Sequence, residues 1–299
     1  MKHNFPVTLA LLALFLIAQV FGLITISQYI DINASAKTGL TQIHEEKYLI
    51  EPPGTDEPLS FLYIIIGVLI GTAILLVIIH FGKHKIWKAW YFLAIAIALV
   101  VAIHPYLLLL LAGLNASFIA ILTCIIAALI ALFKVFKFNP LFHNVTEVLV
   151  YSGIAALLVP ILTFSAVVIV LILISVYDMI AVWKSKHMIT LAKFQSSSNL
   201  FAGLMIPKGK PIAGKKIELS KTKKTSSAIL GGGDIAFPLL FNGVILKYSA
   251  NYLGSFIIII TTTIALALLF FLAKKDKFYP AMPFISAGCF IGYFISMVI

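Results

Sequence analysis

Leu171-Ile172-Leu173-Ile174-Ser175-Val176-Tyr177-Asp178-Met179-Ile180-Ala181-Val182-Trp183 is a continuous apolar run that carries one acid and no base. A carboxylate at the centre of such a run costs about 3 kcal/mol on insertion scales and is kept mainly for function. The surroundings show why the run belongs in a bilayer. The 299 residues are 62% hydrophobic and 11% charged, with a mean hydropathy of +1.09, whereas a water-soluble domain carries about 25% charged residues.

A spanning helix takes about 20 apolar residues. Nine runs of that kind can be read, over roughly 5–30, 59–80, 89–112, 114–133, 141–162, 163–183, 227–248, 250–273 and 280–299. The expected fold is therefore an all-α membrane protein, a polytopic bundle of nine transmembrane helices forming one membrane-embedded domain over 1–299, with a long loop at 184–226. The runs are too continuous for barrel strands. The first run, at about 26 residues, exceeds the 7 to 15 residues of a signal-peptide core and reads as an anchor, although Ala34-Ser35-Ala36 looks like a cleavage site.

The net charge of +11 comes from 22 lysines and no arginine. With the N-terminus cytoplasmic, 19 lysines fall on the inner side and three, Lys37, Lys47 and Lys247, on the outer. Lysine-rich segments translocate poorly, so the expected orientation in the cell membrane has the N-terminus inside and the C-terminus outside. The charge is a topology signal and not a nucleic-acid footprint, since arginine is the usual residue for bidentate phosphate and base contacts. Cys124 and Cys289 lie in apolar runs and read as small core residues rather than a disulfide or metal pair.

Within the 184–226 loop, 188–195 loosely suits an interfacial helix, and the strips 200–206 and 217–219 can pair as a hairpin or belong to a solvated linker. Eight of the 11 acidic residues lie in loops; Glu147, Asp178 and Asp234 do not. Asp178 precedes Lys184 by six residues, a depth of about 9 Å, and Asp234 follows Lys224 by ten, about 15 Å if helical throughout. The two runs are antiparallel and share the same loop, so both carboxylates fall in one depth layer on the cytoplasmic side.

Two carboxyl groups within hydrogen-bonding distance share a proton. One then acts as base on a water while the other donates to a carbonyl oxygen, which is aspartic-protease chemistry and needs no cofactor or metal. The rival is a carboxylate-dependent proton- or cation-coupled transporter, which should show related halves; no repeat is visible. A third reading satisfies each acid separately with hydroxyls and backbone. Gly231, Gly232 and Gly233 beside Asp234 permit close approach of another backbone, and no lysine-serine pair follows to make a phosphate loop. Glu147 reads as reaching the interface or nearby hydroxyls, outside the chemistry. His104-Pro105 reads as a kink, and neither His80 nor His84 has a metal-ligand partner at useful spacing.

Tyr177-Asp178, Gly231-Gly232-Gly233-Asp234 as GxGD, and Pro280-Ala281-Met282 opening the last run resemble the motifs of the presenilin and signal-peptide-peptidase family of intramembrane aspartyl proteases, closest to its archaeal presenilin-like members. In span order the resemblance covers the whole chain. It implies Asp178 and Asp234 as the catalytic pair. Pro280, Ala281 and Met282 would shape the active site and position substrate, and Tyr177 with the three glycines would set its geometry. Met282 stands where the family usually has leucine, a volume-conserving change. Prepilin peptidases share GxGD, but the proline motif argues against them. The implied partners are the lipid bilayer and transmembrane protein or peptide substrates crossing in the type I sense, with a homo-oligomer left open. An unwound substrate is expected to add as a strand near Pro280 to Met282 and a strip of the 200–219 segment.

Overall fold

The computed structural model describes residues 5–50, 56, 59–81, 84–137, 139–185, 201–207, 228–273 and 279–298. Ten α-helices and one two-stranded antiparallel ribbon make up these residues. The helices are α1 (Phe5–Tyr29), α2 (Ile32–Thr38), α3 (Ser60–His80), α4 (His84–Leu110), α5 (Ala116–Phe136), α6 (Pro140–Leu158), α7 (Phe164–Ile180), α8 (Gly233–Ser249), α9 (Tyr252–Leu272) and α10 (Met282–Ser296). The strands are β1 (Gly203–Ile206) and β2 (Ala228–Gly231).

The helix starts are set by short polar side chains at the tight connections. Asn115, Asn139, Thr163 and Asn251 each accept a hydrogen bond from a backbone N–H in the first turn of α5, α6, α7 and α9, which satisfies donors that would otherwise be bare in an apolar medium. Asp31 does the same for α2, so Ala34-Ser35-Ala36 lies within a capped helix. Among the described residues, six helices are long and apolar enough to cross a membrane: Phe5–Tyr29, Lys85–Leu110, Ala116–Phe136, Pro140–Leu158, Phe164–Trp183 and Tyr252–Leu272. The other three expected runs are occupied by α3, α8 and α10. The molecule is thus a largely helical, polytopic membrane bundle.

Helix α8 sits at its centre, packed against α1, α6, α7, α9 and α10, with Leu239 to Lys247 buried without interruption. Helices α9 and α10 pack closest. A Cβ on Gly288 would stand 2.8 Å from the Cα of Thr262, and one on Gly292 2.7 Å from the Cα of Ile258. The Gly288-to-Gly292 spacing puts both small residues on one helix face, where they let the backbones approach. A separate cluster of Tyr91, Ile95, Leu99, Ala127, Ala131 and Val150 joins α4, α5 and α6.

Four expectations need correction. The run read as a helix over 227–248 opens as β2, and its helix starts only at Gly233, so the depth of Asp234 cannot be counted at helical rise. The strip 200–206 does contain a strand, but it pairs with 228–231; the strip 217–219 and the 188–195 stretch lie outside the described residues. Lys134 and Lys247, counted as topology lysines on opposite sides, are buried at 5% and 0% exposure because each meets a carboxylate inside the fold. Cys124 is exposed and only Cys289 is in the core. His104 Nδ1 lies 3.1 Å from Thr123 Oγ1 and so links α4 to α5.

Candidate active site

Asp178 lies in the last turn of α7, which continues into a π turn over Ala181–Ser185. Asp234 lies in the first turn of α8. The two carboxyl groups are within electrostatic reach of each other, although 55 residues separate them along the chain. Each is held by backbone. The Met282 N–H donates to Asp178 Oδ2 at 3.1 Å, joined by the Ala281 N–H. The Gly231 N–H donates to Asp234.

The Pro280-Ala281-Met282 segment therefore meets Asp178 through its main chain. Pro283, at the start of α10, costs no helical hydrogen bond there. The Met282 side chain, 3% exposed, packs with Val170 and Ile174 of α7 and against Phe61, Ile64 and Phe237. The Ser175 and Ser286 hydroxyls, 2.8 Å apart, tie α7 to α10 one turn further along. Tyr177, by contrast, is 45% exposed.

The three glycines have different reasons. None has a positive φ, so what a side chain would meet, and not backbone conformation, tells them apart. A Cβ on Gly231 would stand 3.2 Å from Asp234 Oδ2, one on Gly232 2.5 Å from the Tyr151 hydroxyl oxygen, and one on Gly233 no closer than 3.4 Å to the Phe237 ring. The crowded position is thus Gly232, where the GxGD pattern itself allows any residue.

The ribbon that leads into Asp234 is docked on α6. In the register Gly203↔Gly231 and Met205↔Ile229, with Gly232 N–H donating to Ala202 O, the main-chain groups of Gly203 and Met205 point away from β2. They find side chains of α6. Gly203 N–H donates to Glu147 Oε2 at 3.1 Å, and His143 Nε2 lies 2.9 Å from Gly203 O. Asn144 pairs both with Met205 N–H at 2.9 Å and with Met205 O at 2.8 Å. The same alternation turns Ile229 N–H and C=O to the outer edge of β2. On the other side of the turn, Gln19 Nε2 of α1 donates to Ile235 O at 2.9 Å.

Of the two expected courses, Glu147 takes the second, bonding to a nearby hydroxyl inside the fold rather than reaching the interface. It is 2% exposed, ion-paired with Lys134 at 2.5 Å, and accepts a hydrogen bond from the Tyr151 hydroxyl. His143, Glu147 and Tyr151 recur every four residues, which places them on one helix face. That polar stripe on an apolar helix was the available signal for this part of the site.

A sequence profile of the family described as signal-peptide peptidase, presenilin aspartyl protease matches residues 12–299. The chain belongs to this family of aspartyl proteases. Its activity is that of an aspartic endopeptidase of the GxGD type working within the membrane, which displaces the transporter reading. Two solved structures of a presenilin family intramembrane aspartate protease, in different crystal forms, share its fold. One has a TM-score of 0.67 at 19% identity, covering 97% of this chain and 98% of that one. The other has a TM-score of 0.65 at 19% identity, covering 97% of each chain. No curated protein matches in sequence.

Proposed function

We propose that Asp178 and Asp234 are the two catalytic groups and hydrolyse a peptide bond within a transmembrane segment of a substrate protein. The observation that carries this reading is the approach of the two carboxyl groups at the ends of α7 and α8, Asp178 anchored by the Met282 and Ala281 N–H groups and Asp234 by the Gly231 N–H. With one proton shared between them, the ionised carboxylate takes a proton from water as its oxygen attacks the scissile carbonyl carbon. The protonated carboxyl donates to the carbonyl oxygen, and the tetrahedral diol results. Collapse breaks the C–N bond as a proton passes to the departing nitrogen, leaving a carboxylate and an amine.

Substrate geometry follows from the ribbon. Strand β1 is engaged on one edge by β2 and on the other by His143, Asn144 and Glu147, so among the described residues the edge left for an added strand is that of β2, at Ile229, close before Asp234. An unwound substrate segment seated there gains main-chain hydrogen bonds that the hydrocarbon cannot offer. Pro280, Ala281 and Met282 close the site over Asp178, and Gly231, Gly232 and Gly233 let the Asp234 turn sit flush. Tyr177, exposed, borders the site and does not hold it.

The architecture that goes with this reading is one membrane-embedded protease domain over 1–299 in which all nine of α1, α3, α4, α5, α6, α7, α8, α9 and α10 cross the bilayer. The N-terminus is cytoplasmic and the C-terminus outside; the lysine bias keeps its direction once Lys134 and Lys247 are set aside. Substrates cross in the type I sense, and the dyad calls for a single copy of the chain. The test is incubation of purified protein with a single-span peptide and mass analysis of the fragments. Two complementary fragments from the wild type, and none from Asp178→Asn or Asp234→Asn, are expected; cleavage by either variant would overturn the assignment.

A further inference from the structure

Glu147 and Lys134 form a charged pair buried between α5 and α6, outside the dyad. A buried pair is weak support for stability, because desolvating both charges offsets their attraction, and its best-attested use is to fix register. Every group around this pair points to what it registers. Lys134 Nζ donates to Glu147 Oε1 and, at 3.0 Å, to Thr146 Oγ1. Glu147 Oε2 accepts from two donors, the Gly203 N–H of β1 and the Tyr151 hydroxyl. Tyr91 adds a bond from its hydroxyl to Phe201 O at 2.9 Å, just before β1.

Tyr151 is the link onward. It is 4% exposed and its ring lies against Gly232, with the ring Cε1 and Cζ each 3.1 Å from where a Gly232 Cβ would stand. Gly232 is the N-cap of α8, two residues before Asp234, and its C=O accepts from the N–H groups of Ile235 and Ala236. One carboxylate thus fixes both supports of the Asp234 turn: the ribbon it hangs from, through Gly203 of β1, which pairs with β2, and the phenol it rests on, through Tyr151.

We propose that Glu147, held by Lys134, is a positioning residue for Asp234 and acts through the Tyr151 hydroxyl, whose ring seats the Gly232 turn. This rests on the reading of Asp234 as catalytic. A displacement near 1 Å at a reacting group can cost about 100-fold in rate, so a phenol free to tilt beneath the turn lowers turnover without removing any group that touches substrate.

The experiment compares wild type with Tyr151→Phe, which keeps the ring and removes only the bond to Glu147. Cleavage of a single-span peptide is measured in micelles, with active sites titrated by a tight-binding peptide isostere bearing a hydroxyl at the scissile position. The expected result is a fall of about tenfold in kcat per titrated site, with KM changed by less than about twofold. A second variant, Glu147→Gln with Lys134→Met, leaves no bare buried charge. It is expected to lower kcat per site by a similar factor, and combining it with Tyr151→Phe should add less than about twofold, because coupled groups are not additive. An unchanged kcat per site, even with fewer titratable sites, overturns the proposal, as does a rise in KM at constant kcat or full additivity of the two changes. Asp234→Asn run in parallel separates the two readings. If it is inactive, a null result for Tyr151→Phe removes only the positioning role; if it cleaves, the catalytic reading and this proposal fall together.

Discussion

Lys247 Nζ lies 2.9 Å from Asp56 Oδ1, joining the last turn of α8 to the segment before α3 across 191 residues of chain. The lysine also donates to Val159 O at 3.0 Å, Pro160 O at 3.3 Å and Leu162 O at 2.8 Å, so it caps the carbonyls where α6 turns into α7. Asp56 in turn accepts from Thr41 N–H at 2.5 Å, Thr41 Oγ1 at 2.8 Å and the Tyr248 hydroxyl at 2.6 Å. This clasp holds the end of the bundle opposite the dyad.

Asp56→Asn leaves Lys247, at 0% exposure, without its counter-charge. Removing one partner of a buried pair costs about 3 to 5 kcal/mol. The melting midpoint should fall by several degrees, with kcat per titrated site unchanged because the clasp is remote from Asp178 and Asp234. A variant that melts with the wild type would show that the carbonyl caps alone hold Lys247.

The same clasp sets a pH dependence. Burial pushes the Asp56 carboxyl upward, but hydrogen bonds from Tyr248, Thr41 and Lys247 outweigh it and hold the group below its usual value. A depressed folded-state value means that the contribution is fully present above the ordinary aspartate value of about 3.9 and is lost as pH falls through the folded-state value. Melting curves of wild type and Asp56→Asn should therefore stay apart from neutrality down to mild acid and converge only below it. Curves that stay equally far apart through the acid limb would contradict this sign.

Gly232→Ala should be far more damaging than Gly233→Ala. A Cβ at 232 meets the Tyr151 phenol, which is pinned by Glu147, whereas at 233 it meets the Phe237 ring at ordinary contact distance. Overpacking of this kind costs about 1 to 3 kcal/mol, and here the strain falls on the turn that carries Asp234. Relative cleavage rates of the two variants measure it: a loss of more than about tenfold at 232 against less than about threefold at 233 is expected.

Ile229→Pro tests the strand edge. The Ile229 N–H faces away from β1, so proline there removes no ladder bond of the ribbon and is tolerated on an edge. It does remove the donor offered to an added strand. Cleavage efficiency, kcat/KM, on a single-span peptide should fall by about tenfold, with the melting midpoint nearly unchanged. Unaltered efficiency would place the substrate elsewhere.

Much of this was legible because charge is so scarce in the chain. Asp178 and Asp234 stood out as acids in apolar runs, and helices occupy every run that was read. What sequence periodicity missed, it missed for physical reasons. A four-residue strand such as β2, continuous with a following helix and made of Ala228, Ile229, Leu230 and Gly231, carries no alternation that separates it from the helix. Lys134 and Lys247 looked like topology residues because a lysine at the end of an apolar run reads the same whether it snorkels to water or turns inward to a carboxylate. Glu147 was visible as an intramembrane acid, but its partner Lys134 lies on another helix. Only the four-residue recurrence of His143, Glu147 and Tyr151 hinted that the face was occupied.

Asp178 and Asp234 are expected to act as one unit. Initial rates of single-span peptide cleavage by wild type, Asp178→Asn, Asp234→Asn and the double variant, each with its folded fraction checked by melting, test it most directly. Groups that act together are grossly non-additive, so each single substitution should lower the rate by about 1,000-fold or more, and the double variant should be no worse than either. Retention of more than about a tenth of wild-type rate by either single variant, or losses that multiply in the double, would contradict a shared-proton dyad.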